Sequence, residues 1–203
     1  MDKAELIGLI EFLRGAEQLK NTIRRCYTSE GRSESVAEHS WRLCLMALVF
    51  EDEFPQVNFA RLVKMCLIHD LGEAVGGDIP APLQVGLPDK AAQERRDLLT
   101  LLRPLPTRLQ REITSLWDEY EAAETPEARL AKGLDKLETI LQHIQGENPD
   151  DFDYRYNLHY GRDYTTDHPL IAAVRDILDV ETERRAQEAE QRQGPQRRGS
   201  NEN

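Results

Sequence analysis

The chain contains 203 residues, of which 39% are hydrophobic, 31% charged and 6% aromatic, and this fits one globular domain with its own core. The formal net charge of −11 argues against binding to nucleic-acid polymers, which requires a positive field, and no apolar run reaches the roughly 18 to 20 residues of a membrane span. The three cysteines lack disulfide or metal spacing, so we expect reduced thiols and a cytoplasmic protein.

Good helix formers dominate the chain, and the first predicted helix covers residues 4–20. The residues expected on its inward face are Leu6, Leu9, Ile10 and Leu13. This segment is acidic and amphipathic, so we do not expect it to act as a secretory signal. Residues 21–34, NTIRRCYTSEGRSE, show no hydrophobic period and are predicted to form a loop.

The second predicted helix begins at a capping box. Ser35 precedes Glu38 by three residues, which is the spacing of that motif. The inward stripe of this helix is expected to contain His39, Leu43, Met46 and Phe50. An imidazole therefore lies on a face that is otherwise apolar.

The third predicted helix starts at about Asn58. Its inward residues are expected to be Phe59, Leu62, Val63 and Cys66. His69, Asp70 and Glu73 continue the same face, and two glycines at 76 and 77 are predicted to end the helix. The segment that follows, DIPAPLQVGLPDK, contains three prolines and is predicted to form a loop.

The second half of the chain also shows helical periods. Residues 90–103 and 107–122 are predicted helices, and another begins at Thr125-Pro126, because proline suits the first helical position. The apolar stripe of that helix is Leu130, Leu134, Leu137, Leu141 and Ile144. A polar loop is expected over 146–167 and a last helix from Pro169 to about Arg185. We therefore expect one domain over residues 1–185 and a disordered polar tail over 186–203.

Four polar residues fall on or beside the inward faces of three of these helices. They are His39, His69, Asp70 and Asp135. Because a buried charge is costly unless it is paired or bound to metal, two imidazoles and two carboxylates would suit one divalent ion. Nitrogen and oxygen ligands without thiolate fit Mn²⁺, Co²⁺, Fe²⁺, Ni²⁺, Zn²⁺ or Mg²⁺. In the alternative reading, His69 caps a helix end and Asp70 pairs with an arginine such as Arg42.

The order His, His-Asp, Asp resembles the HD-domain metal-dependent phosphohydrolases. The blocks RSESVAEHSWRL, HDLGEAVGGDIPAP, LWDEYE and KGLDKLETIL are similar to those of bacterial HD-domain 5′-deoxynucleotidases and of the eukaryotic HD-domain-containing protein 2. The segment DHPLIAAVRDIL is similar to the eukaryotic branch. The resemblance covers roughly residues 5–183, in order and with similar gaps. It implies an all-α fold, a single HD-domain bundle of six or more helices around a metal site.

The resemblance also implies roles for particular residues. The family's metal ligands correspond to the four residues named above, and its catalytic glutamate and aspartate correspond to Glu73 and Asp78. The family's phosphate-binding arginine corresponds to Arg24. Read without the family, Glu73 would be an exposed helix residue, Asp78 a turn residue and Arg24 a solvated loop residue. Arg25 stands where an aromatic follows in the deoxynucleotide-selective enzymes, which puts sugar discrimination in doubt.

The function implied by the resemblance is metal-dependent removal of the 5′-phosphate from (deoxy)nucleoside 5′-monophosphates, with a nucleotide as substrate and a homodimer as the assembly. Two alternatives stay open. One is an HD-type hydrolase of another nucleotide, such as a triphosphate, an alarmone or a cyclic nucleotide. The other is a non-catalytic HD module that binds a nucleotide.

Overall fold

The computed structural model describes residues 1–79 and 90–193. Its α-helices are α1 (Lys3–Ala16), α2 (Val36–Val49), α3 (Phe59–Ile68), α4 (Glu73–Gly76), α5 (Lys90–Leu102), α6 (Thr107–Ala122), α7 (Pro126–Gln145), α8 (Arg162–Thr165) and α9 (Pro169–Gln193). Two short strands, β1 (Ile23–Tyr27) and β2 (Ser33–Ser35), form an antiparallel pair. The predicted all-α bundle is confirmed, with this small hairpin added to it. Within the described ranges, no helix is both long and apolar enough to span a bilayer.

Helix α7 packs against α2, α3, α6 and α9. Its start is fixed by Thr125, whose side chain accepts a hydrogen bond from the Ala128 amide, and by the proline at 126. Leu134 and Leu137 on its predicted stripe have no exposed surface. Because α2 and α3 pack on the same helix, polar residues on their inward faces are brought toward α7.

The predicted starts of α2 and α3 are confirmed. Ser35 and Glu38 form both hydrogen bonds of the capping box, and the Asn58 side chain accepts from the Arg61 amide. The inward residues Leu43 and Leu62 are buried. These caps fix where each helix begins and therefore which turn of it faces α7.

The prediction of one helix from Asn58 to the glycine pair is wrong. Helix α3 ends at Ile68, residues 69–72 form a turn, and α4 is a separate short helix. The turn is closed by hydrogen bonds between residues three apart, from the Leu71 amide to Ile68 O at 3.1 Å and from the Glu73 amide to Asp70 O at 3.0 Å. Such tight turns keep a side-chain spacing close to that of a helix. The sequence therefore shows a continuous helical period although the α-helix is interrupted. The end at Gly77 is confirmed, with φ at 78°.

The predicted loop over 21–34 contains a β-hairpin instead. The turn between the strands is closed by a hydrogen bond from the Gly31 amide to Thr28 O at 3.0 Å, and Gly31 has a φ of 75°. The inward positions Arg24 and Glu34 are charged, so the strands lack the alternation of apolar and polar residues that predicts a half-buried strand.

The predicted inward face of α1 is also wrong in part. Leu6, Ile10 and Leu13 are each about half exposed or more, at 49%, 50% and 64%. The helix instead packs through Gly8 and its partly buried neighbours Leu9 and Phe12. Glycine is required at position 8 because the Pro104 carbonyl occupies the place where a Cβ would lie.

The C-terminal part differs from prediction at two places. The predicted loop over 146–167 contains a short 3-10 helix, Tyr154–Leu158, and α8. Helix α9 continues past Arg185 to Gln193, because Ala186 and Ala189 pack beside Tyr154. The rest of the predicted tail, 194–203, and most of the predicted proline-rich loop, 80–89, lie outside the described residues.

Candidate metal centre

Three of the four predicted ligands come together at the end of α3. His39 lies on α2, while His69 and Asp70 begin the turn after α3. One side-chain ligand atom from each lies within 4.8 Å of the other two. His69 Nε2 is 3.0 Å from Asp70 Oδ2, and His39 Nε2 is 3.8 Å from the same oxygen. The two imidazoles therefore point their Nε2 atoms at a common carboxylate.

Asp135 of α7 completes the group from the opposite side. Its Oδ1 lies 3.1 Å from His39 Nε2 and 3.9 Å from His69 Nε2. Its Oδ2 accepts hydrogen bonds from Tyr120 Oη at 3.0 Å and from Lys136 Nζ at 2.8 Å. One carboxylate oxygen is thus held by the protein, while the other faces the imidazoles as a single ligand atom.

His69 shows most directly that this group fits a metal ion. Its Nδ1 lies 2.9 Å from the Cys66 carbonyl, an acceptor, so Nδ1 carries the proton. Its Nε2 is buried and makes no hydrogen bond of regular geometry, although Asp70 Oδ2 lies 3.0 Å away. A lone pair aimed at carboxylates is the arrangement of a histidine ligand whose second nitrogen is fixed by the backbone. The main chain is held as well, since Trp117 Nε1 donates to His69 O at 3.0 Å.

Glu138 is a residue of the site that the sequence analysis missed. It is fully buried on α7, where its Oε2 accepts from His39 Nδ1 and its Oε1 accepts from Arg42 Nε at 2.6 Å. Its position three residues after Asp135 in KGLDKLETIL, on the same helical face, was the available signal. Arg42 therefore pairs with Glu138, and the alternative pairing of Arg42 with Asp70 is wrong.

The site concentrates negative charge around two histidines. Burial opposes ionisation of Asp135, but the Lys136 ammonium and the hydrogen bond from His39 hold its pKa well below its usual range. Burial also opposes ionisation of Glu138, yet His39 and the nearby arginines lower its pKa to about 2. Burial and Arg24 act to lower the pKa of His39, but Glu138 and Asp135 outweigh them and raise it to about 9. The carboxylates of Asp135 and Glu138 are therefore ionised beside the two imidazoles.

Glu73 and Asp78 lie beside this group. Glu73 is 6% exposed, so the alternative of an ordinary exposed helix residue is wrong. Burial, together with the charges of Asp70 and Asp78, raises the pKa of Glu73 to about 10. Burial raises the pKa of Asp78 as well, and Arg24 opposes this rise. A carboxyl group whose pKa is raised in this way holds its proton at neutral pH and can deliver it as an acid.

Arg24 points inward from β1, and its side chain is 14% exposed. Its NH1 donates to Glu34 Oε2 at 2.8 Å and lies 3.6 Å from Glu138 Oε2, while its NH2 donates to Thr139 Oγ1 at 3.0 Å. Arg25 is exposed, because successive strand residues point to opposite faces. The solvated alternative is therefore wrong for Arg24 and right for Arg25.

The comparisons with known proteins agree with this geometry. The HD domain family model matches residues 16–175. A protein of Bos taurus named 5′-deoxynucleotidase HDDC2 is 35% identical over 184 residues, covering 88% of this chain and 87% of its own. The 5′-deoxynucleotidase hdd1 of Schizosaccharomyces pombe is 33% identical over 153 residues, covering 72% of this chain and 76% of its own.

Solved structures give the same result for the fold. A predicted metal-dependent phosphohydrolase from Magnetospirillum magnetotacticum matches with a TM-score of 0.77 and 28% identity, over 90% of this chain and 97% of that one. The cyanophage S-2L HD phosphohydrolase, solved with dA and one catalytic Zn²⁺ ion, shares the fold at a TM-score of 0.55 and 22% identity, over 86% of this chain and 96% of its own. The resemblance inferred from the sequence is confirmed, and this chain belongs to the HD domain family.

Proposed function

We propose that the chain is a metal-dependent hydrolase that removes the 5′-phosphate from (deoxy)nucleoside 5′-monophosphates. The observation that carries the proposal is the convergence of His39, His69 and Asp70, whose ligand atoms lie within 4.8 Å of one another, with the buried Nε2 of His69 facing the carboxylate of Asp70. The names of the relatives support the substrate class, since several are called 5′-deoxynucleotidases and align over most of the chain. The ligand bound to the cyanophage protein, a deoxynucleoside, agrees with it.

We assign the ligand set to His39, His69, Asp70 and Asp135. Two imidazole nitrogens and two carboxylate oxygens suit Mn²⁺, Co²⁺, Fe²⁺, Ni²⁺, Zn²⁺ or Mg²⁺, and the geometry does not favour one of them. A divalent ion bound there supplies positive charge that polarises a phosphoryl oxygen and lowers the pKa of a water molecule.

The remaining steps belong to side chains of this chain. Glu73 and Asp78 orient the attacking water and move protons between it and the leaving 5′-oxygen. Arg24 pairs with a phosphate oxygen, because its guanidinium is held at the edge of the site and matches the geometry of a phosphate. Together they position the phosphate in line with water and offset the charge that develops during transfer.

The experiment is phosphate release by purified, chelator-treated protein reloaded with each candidate metal. The substrates are AMP, dAMP, dTMP, dCMP and dGMP, together with a triphosphate, a cyclic nucleotide and guanosine tetraphosphate. We expect metal-dependent release of inorganic phosphate from the monophosphates. Faster hydrolysis of one of the other nucleotides would favour a different HD-type hydrolase. Binding of nucleotide without hydrolysis by any metal form would favour the non-catalytic module.

The same panel measures the preference for the sugar. By the family resemblance, Arg25 stands at the position of an aromatic residue in the deoxynucleotide-selective enzymes. Its side chain is exposed. We therefore expect the preference for dAMP over AMP, measured as the ratio of their kcat/KM values, to be weaker than in the aromatic-bearing enzymes, and a ratio near one would support this. Strict rejection of AMP would show that another residue guards the 2′ position.

We also propose a cytoplasmic homodimer. The free thiols of all three cysteines agree with a reducing compartment. For the dimer, an exposed apolar strip on α2 offers a surface to a second copy, and it consists of Trp41, Leu45, Leu48 and Val49. An uncharged contact suits two chains that each carry a net charge of −11.

Light scattering after size exclusion tests the dimer. Trp41 is 65% exposed, and a large aromatic at the centre of an interface often carries much of its energy. Trp41→Glu should therefore yield monomers, whereas Leu13→Glu on α1 serves as the control on a different exposed apolar face. A monomeric wild type would overturn the proposal, and dissociation by the control alone would place the contact on α1.

A further inference from the structure

Glu138 is not one of the proposed metal ligands, yet it is among the most enclosed charged groups of the described chain, with 0% exposure. A carboxylate in that environment is costly unless each oxygen has partners. Both oxygens of Glu138 do. Oε1 accepts from Arg42 Nε at 2.6 Å, and Oε2 accepts from His39 Nδ1.

The oxygen that holds His39 also faces the proposed phosphate arginine. Arg24 NH1 lies 3.6 Å from Glu138 Oε2. This single carboxylate on α7 therefore contacts a proposed metal ligand from α2 and the proposed phosphate-binding residue from β1. No other described carboxylate contacts both of these side chains.

The contact with His39 decides which nitrogen of that ring can bind metal. In the neutral form of the ring, which is the form that binds metal, donation from Nδ1 to Glu138 leaves the lone pair on Nε2. Nε2 is the atom that lies 3.1 Å from Asp135 Oδ1 and 3.8 Å from Asp70 Oδ2. Carboxylates in this outer position orient the ring and make it a better ligand. Without the acceptor, the other tautomer and a rotated ring become available.

We infer that Glu138 is a positioning residue that sets His39 for the metal and Arg24 for the 5′-phosphate at the same time. The inference rests on the proposed metal centre and on the proposed role of Arg24. It predicts that one substitution at Glu138 weakens two different binding events, neither of which involves direct contact with Glu138.

Glu34 provides a matched control. It is also buried, at 3% exposure, and its Oε2 accepts from Arg24 NH1 at 2.8 Å. Among the described contacts it pairs with Arg24 but not with His39. Glu34→Gln and Glu138→Gln therefore each remove one negative charge from the neighbourhood of Arg24. Only the second takes the charged acceptor from His39, and it places an amide NH2, a donor, against a donor of either His39 or Arg42.

The experiment measures Co²⁺ affinity by calorimetry and by the visible absorption of the bound ion, separately from KM for dAMP. Glu138→Gln should weaken Co²⁺ binding by about 10- to 100-fold, the usual effect of losing an outer partner of a histidine ligand, and should also raise KM. Glu34→Gln should raise KM while leaving the Co²⁺ affinity within about twofold of wild type. Glu138→Asp, which keeps the charge, should give intermediate values.

The outcomes separate this inference from the proposed function. A wild type that does not bind Co²⁺ would overturn the metal centre and this inference with it. If wild type binds Co²⁺ and folded Glu138→Gln binds it equally well, the inference alone is wrong, whatever happens to stability. If Glu138→Gln does not fold, the double variant Glu138→Gln/Arg42→Gln also removes the positive charge of Arg42, which has then lost its carboxylate partner. Its Co²⁺ affinity and its KM for dAMP are then compared with those of wild type.

Discussion

At the scale of single residues, the packing of α2 and α3 against α7 gathers the polar side chains of the site around His39 and His69. The two histidines and Asp135 were predicted on or beside apolar faces, and the structure places them together. Glu138 was not predicted, because a glutamate on a helix is normally solvated. Only the packing of α2 against α7 shows that it is enclosed and holds His39.

Glu73→Gln tests the separation of catalysis from metal binding. The amide keeps the size of the side chain but can neither accept nor deliver the proton, so turnover should fall by about 10² to 10⁴. Metal affinity and the melting temperature should stay near those of wild type, because Glu73 is not a proposed ligand. Steady-state kinetics and calorimetry measure the two properties.

Asp70→Ala is the comparison for that variant, since it removes a proposed ligand. It should lose metal binding and activity together. Turnover of Glu73→Gln equal to that of wild type would exclude Glu73 from the mechanism, and loss of metal by Glu73→Gln would make it a ligand.

At the scale of elements, the sequence predicted the long helices and missed the hairpin. The starts of α2 and α7 were marked by caps, and these two helices and α6 by a clear period, and both signals are local. The hairpin had no apolar alternation because its inward positions carry Arg24, Cys26 and Glu34. Its remaining signal was the glycine at 31, whose positive φ closes the turn.

The hairpin places its two neighbouring arginines on opposite faces, so we expect different effects when each is substituted. Arg24→Ala should lower kcat/KM for dAMP strongly, because the site loses the guanidinium proposed to pair with phosphate, and Arg24→Lys should restore it only in part. Arg25→Ala is the control, since that side chain is exposed on the other face of β1 and should leave kcat/KM near wild type. Equal effects of the two alanine variants on kcat/KM would mean that the arginines act through the overall positive charge of the hairpin and that Arg24 makes no specific contact with the phosphate.

Gly72 links the turn after α3 to α5. Its backbone, with φ −60° and ψ −30°, suits any residue, but a Cβ there would lie 2.6 Å from the Glu94 carbonyl. Gly72→Ala should therefore push α5 away and cost about 1 to 3 kcal/mol of unfolding free energy, measured by urea denaturation.

The control for Gly72→Ala is Gly15→Ala on α1. An alanine Cβ at that position meets only a methyl group of Leu101, which can rotate away, and alanine favours helix. This variant should be as stable as wild type or more so. An unchanged free energy of unfolding in Gly72→Ala would show that α5 does not pack closely against the turn.

At the scale of the whole molecule, the fold collects ligands that lie far apart in the chain. His39 and Asp135 come from helices that pack only in the finished bundle. The long helices and the family could be predicted from the sequence, because both depend on local patterns. The buried face of α1 could not be predicted from the sequence. It is decided by the close contact between Gly8 and the Pro104 backbone, and a hydrophobicity pattern does not reveal such a contact.

Assembly of the site on folding predicts a coupling between metal and stability. An ion that binds the folded site and not the unfolded chain stabilises the protein by RT ln(1 + [L]/Kd), or about 2.7 kcal/mol at 100 times the dissociation constant. For a domain of this size that corresponds to a rise in Tm of roughly 5 to 10 °C, measured by scanning calorimetry of chelator-treated protein with and without Mn²⁺ or Co²⁺. Asp70→Ala should melt at the same temperature with and without metal, because it lacks a ligand. An equal rise in that variant would assign the effect to weak binding at the acidic surface, and no rise in wild type would count against the metal centre.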